Sequence, residues 1–181
     1  MKKILLILAL IVTSNSIIAQ EAIDTTAIKK HEIKLNALYM VVGAFEVSYE
    51  YLLNEESGVG ISVLLPFDDD IKDDVDYLIS PYYRFYFGNK YASGFFLEGF
   101  GMLSSTRVNE ITYFNFEGDI TGSESINETN FALGIGLGGK WITNRGLLGE
   151  INLGVGRNLF SPSEASDEFV GKIGITIGYR F

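Results

Sequence analysis

The feature that most constrains this chain is a period of two. The last ten residues, KIGITIGYRF, set Ile173, Ile175, Ile177, Tyr179 and Phe181 on one parity and Lys172, Gly174, Thr176, Gly178 and Arg180 on the other. A strand divided in this way has a different solvent on each of its two faces. From residue 33 onward eight segments carry such a pattern, at 33–42, 44–53, 58–66, 77–87, 94–104, 129–141, 147–157 and 171–181. Each holds about nine to thirteen residues, longer than the five or six usual in soluble strands and close to the nine to eleven that cross a bilayer at a tilt. After the first hairpin the connections alternate short and long, as they do at the two rims of a transmembrane barrel. The first long-side connection, near Gly43, is expected to be tighter than the others.

Charge placement sharpens the reading. A basic side chain facing lipid at mid-membrane costs about 2–4 kcal/mol, whereas one facing the interior can find a partner. Lys34, Glu46, Glu50, Arg84, Glu98, Lys140, Glu150, Lys172 and Arg180 are therefore expected to share the inner face as a network of ion pairs. Opposite them run apolar sets such as Val59, Ile61, Val63 and Leu65, or Ile151, Leu153 and Val155. The fifth segment is ambiguous, because Glu98 shares its parity with Phe96, Phe100 and Met102 while Gly99 and Gly101 take the other. Threading the segments up and down gathers Tyr49, Tyr51, Phe85, Phe87, Phe95, Trp141, Tyr179 and Phe181 at the short-turn rim. Tyr39, Phe45, Phe67, Tyr77 and Phe131 gather at the other, so two aromatic girdles are expected.

The start of the chain fits export. Lys2 and Lys3 precede an apolar run from Ile4 to Val12, and a small polar stretch ends at Ala19, so residues 1–19 read as a secretory signal peptide. A membrane anchor is the alternative, but the apolar run is far shorter than the roughly 20 residues of a spanning helix. Residues 20–32 read as a polar lead-in on the periplasmic side and 33–181 as the barrel. A formal net charge of -9 without any basic run excludes a nucleic-acid partner, and the absence of cysteine excludes disulfides and thiolate chemistry.

Motifs that could carry chemistry are few. In GIGLGGKW, Gly134, Gly139 and Lys140 have the spacing of a phosphate-binding loop, but Trp141 replaces the required Ser or Thr and no helix follows. DDDIKDDVD gathers Asp68, Asp69, Asp70, Asp73, Asp74 and Asp76 without the glycine and closing glutamate of a calcium loop, so no metal site is assigned. The sole histidine, His31, lies in the lead-in, leaving no His-based hydrolase set, and neither catalytic residues nor a cofactor are expected.

An alternating final strand ending in Tyr179 and Phe181 resembles the signal read by the outer-membrane barrel assembly machinery. With the eight segments, it makes the chain resemble small outer-membrane barrels of the OmpA/OmpX type. KLNALYMVVGAFEVSYEYLL, SPYYRFYFG, GGKW and GVGRNLF are similar to Gram-negative envelope barrels of unassigned function. The resemblance implies an all-β, eight-stranded, antiparallel up-and-down transmembrane barrel in the outer membrane, among lipid and lipopolysaccharide. Its lumen is expected to be filled, with a structural or surface-interaction role through the outer loops, notably 105–128. The alternatives are a small-solute transporter or ligand-binding barrel, a secreted lipocalin-like binder with the opposite polarity, and a membrane hydrolase.

Overall fold

A computed structural model describes residues 29–72, 75–114, 120–160 and 168–181. The expected signal peptide and residues 20–28 of the lead-in lie outside the described residues. The rest is one sheet closed on itself, a barrel in the order β1-β2-β3-β4-β5-β6-β7-β8 with every neighbouring pair antiparallel. Its elements are β1 (His31–Asn36), α1 (Ala37–Val42), β2 (Ala44–Leu52), β3 (Ser57–Pro66), α2 (Asp69–Lys72), β4 (Val75–Tyr86), β5 (Gly94–Phe114), β6 (Ile120–Ile142), β7 (Leu147–Phe160) and β8 (Phe169–Arg180). β1 closes the barrel by pairing with both β2 and β8, through registers such as Leu35 with Val47 and Glu32 with Arg180.

Three features depart from the sequence expectation. The first strand does not run through 33–42; it begins at His31, ends at Asn36, and gives way to a short helix. The Asn36 side chain accepts from the Leu38 amide, and Gly43 ends the helix at φ 104°, a left-handed conformation that glycine adopts without a Cβ penalty. The tight connection expected near Gly43 is therefore a helical segment. His31, expected in the lead-in, is the first residue of β1 and pairs with Tyr51. Third, much of the long connection expected at 105–128 is a continuation of β5 and β6, paired from Arg107 with Asn127 to Phe114 with Ile120, beyond the last partners on either flank.

The polarity of the barrel is reversed relative to a soluble protein. Ile33, Val47, Val59, Ile61, Leu65, Leu97, Ile135, Leu153 and Ile175 are among many large apolar side chains exposed on its outer wall, while charged groups are buried inside. Aromatic rings mark both ends of that wall. Phe85, Phe87 and Phe95 cluster at the short-turn rim, and Phe45 packs on Phe67 with centroids 4.7 Å apart at the other. The ambiguous β5 resolves with Phe96, Glu98, Phe100 and Met102 all turned inward.

Room for those rings comes from the facing strand. Gly134 and Gly138 of β6 lie under the rings of Phe100 and Phe96, where any Cβ would overlap them. The Gly134–Lys140 stretch is thus a wall of a narrow lumen.

Candidate functional site

The strand order brings all nine charges anticipated from parity into one interior, where all but the half-buried Lys172 are buried. Each wall contributes. β1 supplies Lys34, β2 Glu46 and Glu50, β4 Arg84, β5 Glu98, β6 Lys140, β7 Glu150, and β8 Lys172 and Arg180. Glu32, which lies within the expected lead-in, is a tenth member: it is fully buried and holds Lys140 at 2.7 Å and Arg180 at 2.7 Å. Its parity matches Lys34 and Asn36, the one signal that could have found it.

Glu50 and Glu150 form the middle of the network. Lys34 pairs with Glu50 and, at 2.7 Å, with Glu150; Arg84 reaches Glu50 at 3.1 Å and Glu150 at 2.8 Å; Lys140 reaches them at 3.4 and 3.2 Å. Arg84 also donates from Nε to Glu98 at 2.7 Å, and Lys172 holds the other oxygen of Glu98 at 2.6 Å. The Tyr86 hydroxyl donates to Glu50, and the Lys140 ammonium donates to Tyr86. Oxygens of Glu32, Glu50 and Glu150 lie within 4.8 Å of one another, close enough to hold a metal ion. The amines of Lys34 and Lys140 already bond all three, so this carboxylate triad is neutralised from within.

Aromatic faces cover the cations. The Arg84 guanidinium lies 4.3 Å from the Phe96 centroid and 4.5 Å from that of Tyr82, Lys140 is 4.3 Å from Tyr86, and Lys172 is 5.0 Å from Phe100. Apolar clusters flank the charges, with Leu52, Tyr86, Ala92 and Phe96 toward the short turns and Tyr82, Phe100, Met102 and Ala132, from β4, β5 and β6, beyond them. Arg180 fastens the short connection between β4 and β5, donating to the Tyr91 and Ala92 carbonyls at 2.8 Å each. The carboxylates Glu32, Glu50, Glu98 and Glu150 are ion-paired with Lys34, Arg84, Lys140, Lys172 and Arg180, Glu46 accepts from Asn36, and Glu128 is buried as well. Interleaved charge lets such a polar interior be desolvated, since a buried charge persists when it is paired.

The remaining candidates are elsewhere. Tyr179 and Phe181 face outward at the short-turn rim; the Phe181 ring stacks on His31 with centroids 5.8 Å apart, and its amide donates to the His31 carbonyl at 2.8 Å. His31 Nδ1 meets the Tyr49 hydroxyl at 2.7 Å. In the acidic connection Lys72 pairs with Asp69 at 2.9 Å, while Asp73 and Asp74 lie outside the described residues.

Comparison with known proteins follows the architecture. The N-terminal β-barrel domain of Pseudomonas aeruginosa OprF is 16% identical, with a TM-score of 0.52 over 84% of this chain and 98% of that one. Neisserial surface protein A is 13% identical, with a TM-score of 0.45 over 84% of this chain and 95% of that one. At this identity the OprF likeness supports the eight-stranded fold alone. No curated protein sequence matches the chain. Residues 4–168 match the model of one sequence family, and the chain belongs to it: the family described as "Protein of unknown function (DUF3575)".

Proposed function

We propose that this chain is an integral outer-membrane barrel with a plugged lumen, serving a structural or surface-interaction role through its outer connections. The observation that carries the reading is the polarity of the wall: apolar outside and charged inside, over strands long enough to cross a bilayer. A soluble lipocalin-like binder needs the opposite arrangement. In this reading residues 1–19 are removed on export, lipid and lipopolysaccharide surround the wall, and the barrel assembly machinery recognises the strand ending at Tyr179 and Phe181. The residues expected to act are those of the ion-pair interior, as a rigid plug rather than as acid and base catalysts. The carboxylates that an enzyme would use as acid and base are, apart from Glu46, held by cations.

Envelope fractionation followed by a heat-modifiability gel tests this directly. The protein should partition with the outer membrane and change mobility on boiling; recovery in the soluble fraction would overturn the assignment. Planar-bilayer recording tests the plug, because an eight-stranded barrel filled by side chains should leave no wide aqueous path, and stable large channels from pure protein would contradict it.

A further inference from the structure

With Glu98 and Phe100 turned inward, Gly99 and Gly101 of β5 face the outer wall. Gly101 is roofed: a Cβ there would lie 3.6–3.8 Å from atoms of Phe131, Pro81 and Leu133. Gly99 is not, and a Cβ there would meet nothing within 4 Å. The register sets Gly99 in a row with Tyr83 of β4, Ile135 of β6 and Val155 of β7, all exposed. A parallel row runs from Phe85 through Leu97 and Leu137 to Leu153. Between the two rows the floor is bare backbone at Gly136 and Gly154, so the wall carries an apolar groove of about 490 Å³ there. That is the size of a small-molecule site.

The groove runs obliquely. Phe85 is the next-to-last residue of β4, at the short-turn rim, whereas Leu153 and Val155 lie midway along β7, so the rows climb toward the outer rim. Three steps between strands of about 4.8 Å carry the groove roughly 14 Å. One leaflet contributes about 15 Å to a hydrocarbon core of about 30 Å. Just beyond the upper end stands Arg157, two residues past Val155 on the same face of β7 and opposite Leu133 and Phe169. Unlike the nine lumenal charges it is exposed on the lipid-facing parity. Its Nη2 pairs with the exposed Glu168 at 2.6 Å, its one ion pair among the described residues. A guanidinium has five donors, so the others are open to an anion.

We propose that this groove is a lipopolysaccharide site, in which one acyl chain lies from Val155 down to Phe85 while Arg157 holds a phosphate of the same molecule. The groove is continuous with the lipid-facing wall, so an acyl chain is the medium that fills it. Van der Waals fit over Gly99 holds the chain, because lipid tails are as apolar as the wall and transfer between them yields no hydrophobic gain. Selectivity therefore resides at the head, where a cation at the outer end of the groove complements an anionic group of the outer leaflet. The proposal rests on the membrane reading above and assigns one lipid to one face of the barrel.

The test is lipid retention by native mass spectrometry of the barrel purified from outer membranes in detergent. Equal amounts of deep-rough lipopolysaccharide, its dephosphorylated form and phosphatidylethanolamine are offered in turn. The phosphorylated form should be retained over the other two by at least about tenfold, the worth of one charge-assisted hydrogen bond. Gly99→Leu fills the groove and should abolish that retention, whereas Gly149→Leu, at an outward glycine of β7 outside the groove, should not. Arg157→Gln should bring the phosphorylated form down to the level of the dephosphorylated one. Ile135→Trp, which roofs the groove from its exposed edge, should act like Gly99→Leu and decides the matter if that variant loses its heat-modifiable band. Undiminished retention in the filled variants, or equal retention of all three lipids by the unmodified barrel, would overturn the proposal. So would a dimer lost specifically on filling the groove, which would assign it to a second copy of the chain. Absence of the unmodified protein from the outer membrane would instead remove the membrane reading itself.

Discussion

Arg84 and Glu98 are directly opposed on β4 and β5, with the guanidinium Nε donating to the carboxylate at 2.7 Å and both side chains buried. The pair shows how this barrel tolerates charge in its interior. Arg84 also holds Glu50 and Glu150, so one side chain neutralises carboxylates from three walls.

Replacing Arg84 with Met should therefore cost on the order of 3–5 kcal/mol, the penalty of leaving buried negative charge uncompensated. Urea unfolding from lipid vesicles measures it. Glu150→Gln made in the Arg84→Met background should recover part of the loss, because it removes a carboxylate that Arg84 held. Strict additivity of the two changes would contradict a shared network.

Phe85, the next residue, faces the other way and is exposed on the outer wall. It pairs with Ser57, the first residue of β3, which puts it near the short-turn rim. Phe85→Arg should cost less than the roughly 2–4 kcal/mol of a mid-membrane cation and less than Arg84→Met. If Arg84 proves indifferent while Phe85→Arg blocks insertion, inside and outside have been exchanged.

At the C-terminus, deleting Phe181 or changing it to Asp should impair insertion and leave unfolded chain in the periplasm. Two losses coincide there: the expected assembly signal, and the stack on His31 that helps join the last strand to the first. His31→Ala removes the stack alone and should leave delivery intact while modestly weakening closure. Outer-membrane levels by immunoblot separate the two, and normal delivery of the Phe181 variants would rule out the signal.

How much of this was legible depended on where each residue sits. For β2, β3, β7 and β8, lipid on one side and packed lumen on the other force strict alternation, and the sequence spans match the strands within a few residues. ALYMVV misled because Leu35, Ala37, Tyr39 and Val41 continue the outer parity of a strand. The decisive signal was the pair of flanking caps, Asn36 and Gly43. The paired extensions of β5 and β6 were missed for the opposite reason: the alternation used to recognise strands depends on a lipid face, and these residues run beyond the flanking strands. Parity identified the inward charges but could not pair them, since the meeting of Lys34 with Glu150, or Lys140 with Glu32, depends on the stagger of distant walls.

That stagger also governs the last prediction. Among the described residues, no register with β4 continues beyond Thr106 on β5 and none with β7 before Phe131 on β6, so the ladder from Arg107 to Phe114 pairs there within its own hairpin. An isolated two-stranded ribbon contributes little to the stability of the sheet it extends. Replacing residues 107–127 with a short Asn-Gly turn should therefore leave the barrel closed, its heat-modifiable band unchanged and its urea midpoint within experimental spread, since shortening a connection changes closure entropy only slowly. Surface contacts made by the extension would be lost in the same variant, so whole-cell adhesion or partner capture can be compared in cells with equal amounts of folded barrel. Failure of the shortened chain to fold would mean that the ribbon packs back onto the rim near Ser105 and Asn130, both buried at its base, and helps to close the lumen there.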